Sequence, residues 1–428
     1  MAEKKNVVKK VLAALLTVCV LALVFFAGYF TNYLTRSEEE KLMEWALGLI
    51  GDNYMVYDEE TGELIEYTAE DYLKAIANEL LDPYSAFYTK EEYADLVSTS
   101  QGNQYGIGVT FLIVSDKPEI YSVVGNSPAE RAGVTADGLV TAVEYNGEKT
   151  AFDTYDGFAA ALQNVPAYAD FTLWVDYGEG EKPFVMKKES FKESYVFYAD
   201  SGTGYMFLSD DGKAPVGTPR EDKKIDYLPE DTAYIRYDSF MYTSPAQFRE
   251  AYEYMFTRGR ENLILDLRGN GGGYMDVLQE IASFFLEGNN RLIAVAHSKK
   301  DTQEFSTRVS RKDSRLGRVV VLADDGTASA SECLIGAMMH YGVIGYDTFV
   351  AVKNAETGKA ATYGKGIMQT TYPNAKFGGA IKLTTAYIYW PDDQTCIHGK
   401  GIEARGENAV LSETGADRQL ERAAAILG

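Results

Sequence analysis

The longest apolar run in the chain comes first. Val11 to Phe30 holds no charged residue, and Lys4, Lys5, Lys9 and Lys10 precede it. A helix of that length, rising 1.5 Å per residue, spans about 30 Å, the thickness of a bilayer's hydrocarbon core. The run therefore predicts a single transmembrane helix, and the lysines before it place the N-terminus in the cytoplasm. A cleaved signal peptide is the rival reading. The run is long for one, and Phe25-Phe26-Ala27-Gly28-Tyr29-Phe30 offers no small-x-small cleavage site. Cys19 follows bulky Val18 with more apolar sequence beyond it, which favours a membrane-buried thiol over a lipid-bearing cysteine.

Beyond Ser37 the period changes twice. Residues 37–96 mix acidic and apolar positions at helical spacing, as at Leu42, Trp45, Ala46 and Leu49. Leu81-Asp82-Pro83-Tyr84-Ser85 reads as a turn, and Thr89-Lys90-Glu91-Glu92 as a capping box opening a short helix. From 97 to 190, short β-rich runs appear at Gly108–Ile113, Glu119–Val124, Leu139–Val143 and Phe171–Val175. Helical pieces fall near Pro128–Ala132 and Thr154–Leu162, and Asn146-Gly147 closes a tight hairpin. Residues 191–230 read as a connecting region, with polar Asp210–Pro219 as a surface loop. From Thr232 strands and helices alternate. Strands are expected at Ala233–Tyr237, Asn262–Leu267 and Val319–Ala323, and helices at Ala246–Arg258, Met275–Leu286 and Ser331–Tyr341. Such alternation predicts a layered α/β core. The expected divisions are a cytoplasmic stub and membrane anchor (1–36), a helical N-terminal region (37–96), a β-rich domain with two helices (97–190) and an α/β core (191–428).

Composition narrows the partners. The formal charge is −22 over 428 residues. Phosphate binding wants a basic face, so nucleic acid is not expected as a partner. Residues 1–36 hold five basic side chains and one acidic, so the part beyond the anchor is more acidic than the whole, as suits a solvated ectodomain. Its two cysteines, Cys333 and Cys396, make no disulfide framework. There is no Walker lysine loop and no His-Glu-x-x-His, so neither a cofactor nor a metal is expected.

Two segments carry candidate chemistry. In Gly326-Thr327-Ala328-Ser329-Ala330-Ser331-Glu332 a serine opens a helix, and in Tyr363-Gly364-Lys365-Gly366-Ile367-Met368-Gln369 a lysine sits between glycines in an expected strand. Ser329-x-x-Glu332 is, in plain terms, a capping box, and Gly-Lys-Gly alone is a surface lysine. Read together, they pair a nucleophilic hydroxyl with an amine base. A lysine with its ordinary pKa is protonated at neutral pH and serves as a base only if burial depresses that value. A helix entrance also suits a nucleophile, since the Ala330 N–H there can hold an oxyanion.

Residues 97–190 resemble a PDZ domain at three places: Tyr105-Gly106-Ile107-Gly108-Val109 as a carboxylate-binding loop, Ser127–Val134 as the short helix with its exit, and the Asn146-Gly147 hairpin. The glycines let consecutive N–H groups converge on a terminal carboxylate while the peptide joins the sheet edge. Ala136-Asp137-Gly138 departs from the usual Pro-Gly-Asp.

Four ordered segments resemble the carboxyl-terminal processing peptidases, also called tail-specific proteases. They are Leu265–Gly273, Thr327–Glu332, Tyr363–Gln369, and Leu383–Ala386 with Ile397–Glu403. The resemblance covers most of residues 37–428. It implies a ClpP/crotonase-like α/β protease core, Ser329 as nucleophile, Lys365 as base and Gln369 orienting the amine. Ala330 would contribute an oxyanion donor, with a second from Gly271 or Gly272. It further implies protein or peptide substrates with flexible apolar C-terminal tails, bound by the PDZ domain outside the cell membrane, and it leaves a homo-oligomer open. Two features depart from the family. Ser329 and Lys365 are 36 positions apart, with Lys353–Lys359 as an inserted polar hairpin that offers two other lysines, and His340 stands where relatives have Asp. A Ser329–His340 pair would have to bridge about 16 Å along one helix. The competing reading is a non-catalytic PDZ-bearing scaffold that holds a peptide or ligand on the same fold.

Overall fold

The computed structural model describes Val20 and residues 36–58, 62–208, 216–220, 223–413 and 416–428. The apolar run Val11–Phe30 lies outside them apart from Val20. Among the described residues, no helix is long and apolar enough to cross a membrane.

The chain divides into two compact units, one ending at Glu79 and one running from Leu80 to Gly428. Among the described residues the first holds two helices. Glu38–Asn53 is opened by a capping box in which Ser37 and Glu40 exchange main-chain bonds of 3.0 and 3.1 Å. It carries Leu42, Trp45, Ala46 and Leu49, and Leu42, Trp45 and Leu49 are exposed. The helix Ala69–Leu80 follows.

In the second unit, residues 107–187 build a six-stranded antiparallel sheet. Its path runs Val109–Val114, Lys117–Val123, Leu139–Tyr145, Asp170–Asp176, Glu181–Lys187, with Glu148–Ala151 paired to the third of these. Alternation along Asp170–Asp176 buries Phe171, Leu173 and Val175, and they pack with Ile120 and Phe158 into a core of their own. Asn146 and Gly147 turn with φ of 53° and 79° between Tyr145 and Glu148, a backbone that asparagine and glycine tolerate best. Entry and exit are zipped together by Asn103–Gly106 pairing antiparallel with Glu189–Lys192.

The large core is an eight-stranded sheet. Thr232–Tyr237, Asn262–Asp266, Val319–Ala323, Phe349–Val352 and Ala409–Val410 run parallel. Parallel strands are covered on both faces and read as continuous apolar runs, as Val319–Ala323 does. Leu263, Leu265, Val319 and Val321 face the helices Ser244–Thr257, Met275–Ala282 and Ala330–His340. Ile264, Val320 and Leu322 face the helix Arg418–Leu427 through Leu420 and Ala423. This is the mixed α/β layering expected.

Residues 191–230 do more than connect. Val196–Ala199, Gly204–Leu208 and Val216–Pro219 extend the core sheet as an antiparallel edge beside Thr232–Tyr237. Each strand is at most five residues long, too short to show a period. A further antiparallel sheet orders Ala86–Tyr88, Ala380–Tyr389, Leu292–Ser298 and Thr302–Ser306, and Ile367–Pro373 also pairs with Ala380–Tyr389.

Candidate active site

Three loops meet at the N-terminus of the helix Ala330–His340. The first follows the strand Asn262–Asp266. Arg268 ties that strand's end to the C-terminal helix by pairing with Asp266 at 2.5 Å and Asp417 at 2.8 Å. The chain then turns into Gly271-Gly272-Gly273. Buried Asn270 fixes this turn: its Nδ2 donates to the Tyr237 carbonyl (2.6 Å) and its Oδ1 accepts from the Gly272 N–H (2.9 Å). Its own carbonyl accepts from the Ala328 N–H and the Ser331 hydroxyl, both at 2.9 Å, binding glycine loop to helix entrance.

The helix entrance is strained at the residue of interest. Ser329 has φ 58° and ψ −116°, a conformation side-chain-bearing residues rarely adopt. Its N–H donates to Glu332 Oε2 at 3.0 Å. The Ala330 N–H has no hydrogen-bond partner among the described residues and points with the helix dipole. A Cβ on Gly272, itself at φ 98°, would lie 2.8 Å from Ala330 N and 2.8 Å from Ser329 Cβ. Gly272 therefore keeps open the approach to the Ala330 N–H. It is not itself a free donor, because Asn270 already takes its N–H. Of the two glycines, Gly271 is the one whose N–H has no partner among the described residues.

The third loop carries Lys365. The expected strand over 363–369 begins only at Ile367. Gly364 is left-handed at φ 89°, so strand alternation does not link Lys365 to Gln369. The flanking glycines also serve a different purpose from the expected approach to the serine. A Cβ on Gly364 would meet Gly401 N at 2.7 Å, and one on Gly366 would meet His398 N at 2.7 Å. They are glycines because the segment Ile397–Gly401 packs against them, which gives that fourth motif its physical meaning.

Glu332 joins the serine and lysine loops. Fully buried, its carboxylate receives four donors. Oε1 takes the Thr362 hydroxyl (2.5 Å) and the Gly364 N–H (2.8 Å); Oε2 takes the Ser329 N–H (3.0 Å) and the Lys365 N–H (2.8 Å). The main chains of Ser329 and Lys365 thus meet on one oxygen atom. Burial pushes the Glu332 carboxyl up, against the pull of these donors. The capping box seen in the sequence reaches beyond its own helix to do this, and a count of i, i+3 spacing does not reveal it.

The Lys365 amine is half-buried. Burial first, then the nearby Lys382, hold its pKa below the ordinary lysine value, while Asp82 and Glu332 act the other way. Among the described residues it makes no hydrogen bond to Ser329 or Gln369; it lies over the Tyr84 ring, 4.6 Å from the centroid. Gln369 Nε2 donates to Thr384 Oγ1 (3.0 Å), which leaves the amide oxygen to accept. Lys353 and Lys359 are exposed on a turn that Asn354 closes through Gly358 and Lys359, so neither has the burial a base requires. His340 is exposed at the far end of the helix, against Tyr341. Cys333 and Cys396 are separate thiols.

Of the candidate tail-binding residues, Tyr105 is exposed and Gly106 ends the entry strand. Ile107 is buried, and Val109 packs partly against the same core. A Cβ on Gly108 would lie 2.1 Å from Ser127 Cβ, so glycine is required there for packing. The N–H groups of Ile107 and Gly108 have no partner among the described residues.

Comparison with known proteins adds a family. Residues 231–405 match the model of peptidase family S41. A CtpA-like serine protease of Staphylococcus aureus (strain N315) is 27% identical over 332 residues, which cover 77% of this chain and 58% of that protein. One from Staphylococcus epidermidis (strain ATCC 12228) is 25% identical, covering 85% of this chain and 64% of its own length. The chain thus spans about three-fifths of these relatives. The photosystem II D1 C-terminal processing protease aligns over 89% of both chains with a TM-score of 0.47 and 18% identity. The matched residues 231–405 hold Ser329, Lys365 and the glycine loop, and it is through them that the chain is similar to peptidase family S41.

Proposed function

We propose that this protein is a membrane-anchored serine endopeptidase that cleaves near the C-termini of extracytoplasmic proteins. Ser329 is the nucleophile and Lys365 the general base. The observation that supports this is the single Glu332 oxygen bonded to the main-chain N–H of both residues, which joins the strained serine's loop to the loop of the half-buried lysine. Lys365 Nζ takes the Ser329 proton as Oγ attacks the scissile carbonyl, and the Ala330 and Gly271 N–H groups receive the oxyanion. Lys365 then passes the proton to the leaving amine, and water, deprotonated by the same amine, releases the acyl group. Gln369, anchored on Thr384, offers its amide oxygen to the lysine.

Residues 97–190 act as a PDZ domain for substrate tails. Two features support this: the unpartnered N–H groups of Ile107 and Gly108, and the outer edge of Val109–Val114, which has no strand beside it among the described strands. A tail laid along that edge adds a strand and brings its carboxylate to those N–H groups. The anchor Val11–Phe30 puts the catalytic part outside the cell membrane.

The test uses full-length protein in detergent. It is incubated with a protein bearing a flexible apolar C-terminal tail, and fragments are followed by mass. A fluorophosphonate probe is applied in parallel. Cleavage within the tail region, with the probe on the peptide containing Ser329, is the expected result. Tail binding with neither cleavage nor labelling would instead favour the scaffold.

Two variants probe the surroundings. Gly272→Ala puts a methyl group where the oxyanion must reach Ala330, so kcat should fall about 10²–10³-fold, the effect of losing one oxyanion donor. Thr384→Val removes the hydroxyl that holds Gln369. Steady-state kinetics should show a loss of up to about 10²-fold, as for misplacement of a catalytic group by an ångström.

A further inference from the structure

The turn Asp82–Ser85 closes over the amine side of the site. Asp82 organises it, its carboxylate accepting from the Tyr84 N–H (2.9 Å), the Ser85 hydroxyl (2.9 Å) and the Thr384 hydroxyl (3.0 Å). The Thr384 N–H donates to Ser85 Oγ at 3.1 Å. Burial opposes the Asp82 charge, yet the donors from Ser85, Tyr84 and Thr384 hold its carboxyl below the usual carboxylate range. The turn is thus fastened to the strand Ala380–Tyr389, whose Thr384 also anchors Gln369.

This fastening sets the Tyr84 ring against Lys365. Nζ lies 4.6 Å from the ring centroid, and the Tyr84 hydroxyl meets that of Tyr363 at 2.8 Å. The Tyr363 bond first, and burial second, push the phenol up to about 12, so the ring stays neutral at physiological pH. A ring face attracts an ammonium through its quadrupole and offers a neutral amine little.

We propose that Tyr84 is a positioning residue for Lys365, its ring holding the ammonium aside in the empty enzyme until a bound peptide draws the amine toward Ser329. The proposal rests on Lys365 being the base. The groups that act on this amine are Tyr84 and Asp82 from the turn, Glu332 from the nucleophile helix and Lys382 from the neighbouring strand, with Tyr363 bonded to the Tyr84 hydroxyl behind the ring. Only Lys382 among the charged ones disfavours the ammonium; Asp82 and Glu332 favour it. Replacing the ring changes none of these charges, so its effect can be read separately.

The test compares Tyr84→Leu, Tyr84→Phe and Tyr84→Trp in the full-length protein. Leucine keeps apolar bulk without a quadrupole, phenylalanine keeps the ring without the Tyr363 bond, and tryptophan strengthens the attraction. The pH profile of kcat/KM reports the free enzyme and that of kcat the complex. Tyr84→Leu should move the acid limb of kcat/KM to lower pH by about 0.4–1 and leave the kcat limb in place. Tyr84→Phe should keep the wild-type limb, and Tyr84→Trp should move it to higher pH.

A second readout needs no turnover. The rate at which acetic anhydride acetylates Lys365 at each pH, read by mass from its peptide, titrates the amine in the empty enzyme. The order should be Leu below Phe and Tyr, with Trp highest. If Tyr84→Leu does not fold, Phe against Trp carries the comparison. An unchanged Lys365 titration across the series, or equal movement of both kinetic limbs, overturns the proposal. If Lys365→Ala is dead while the series shows no shift, only the parking role fails. If Lys365→Ala cleaves normally, the lysine-base reading fails with it.

Discussion

Lys365→Ala should lower kcat/KM by about 10²–10⁴-fold, the contribution of a positioned general base, with little change in stability. The two halves of the residue have separate duties. The main-chain N–H binds Glu332, and alanine keeps that bond. The side chain makes no hydrogen bond among the described residues beyond its contact with the Tyr84 ring, so its loss leaves no buried partner unsatisfied. The pH profile sharpens the test. A base must be neutral to accept the serine proton, so wild-type kcat/KM rises with pH through the Lys365 pKa, which burial and Lys382 hold below the ordinary lysine value. In Lys365→Ala that limb should vanish, leaving a slow rate that tracks hydroxide. Steady-state kinetics from neutral to alkaline pH, with denaturant melts of both proteins, decide it. A variant that keeps the limb would show that another group takes the proton.

What the sequence could and could not show divides along physical lines. Runs such as Val319–Ala323 and Leu263–Leu265 are legible because a covered parallel strand must be apolar on both faces. Asn146-Gly147 is legible because few residues accept two successive positive φ angles. The edge strands Val196–Ala199 and Gly204–Leu208 are not, being too short to set up a period. At the site, residue types announced Ser329 and Lys365, but not their connection. The carboxylate that joins them belongs to Glu332, which looks in sequence like the far half of a helix cap. The glycines beside Lys365 were legible as a demand for close approach, but their partner was not, since Gly401 and His398 lie more than thirty positions on. Gly272 shows the same limit. Its lack of a side chain is what the site uses, while its N–H is spent on Asn270.

Glu332→Gln should damage folding and catalysis together, and the hydrogen-bond inventory gives the reason. Four donors converge on two carboxylate oxygens, those of Thr362, Gly364, Ser329 and Lys365. An amide has one oxygen and an NH₂ that only donates. Toward Ser329 and Lys365 the NH₂ faces two N–H donors in a fully buried place; toward the other pair it faces the Gly364 N–H, while the Thr362 hydroxyl can turn to accept. Each buried group left unsatisfied costs about 1–3 kcal/mol. The neutral amide also escapes the burial that pushes the Glu332 carboxyl up, so the net loss should be about 1–3 kcal/mol, still a sizeable share of a typical folding free energy. The choice of orientation matters for activity. Turning the NH₂ toward Ser329 and Lys365 unfastens both halves of the dyad and releases the strained φ of Ser329. Turning it toward Thr362 and Gly364 lets the lysine loop drift from the helix. Either way kcat/KM should fall by about 10²-fold or more, the penalty for misplaced catalytic groups. Glu332→Asp separates geometry from charge: it restores the acceptors but is one methylene short, so it should recover part of the stability and less of the activity. If Glu332→Gln melts like wild type yet loses cleavage, the carboxylate takes part in the chemistry itself rather than holding the two loops together.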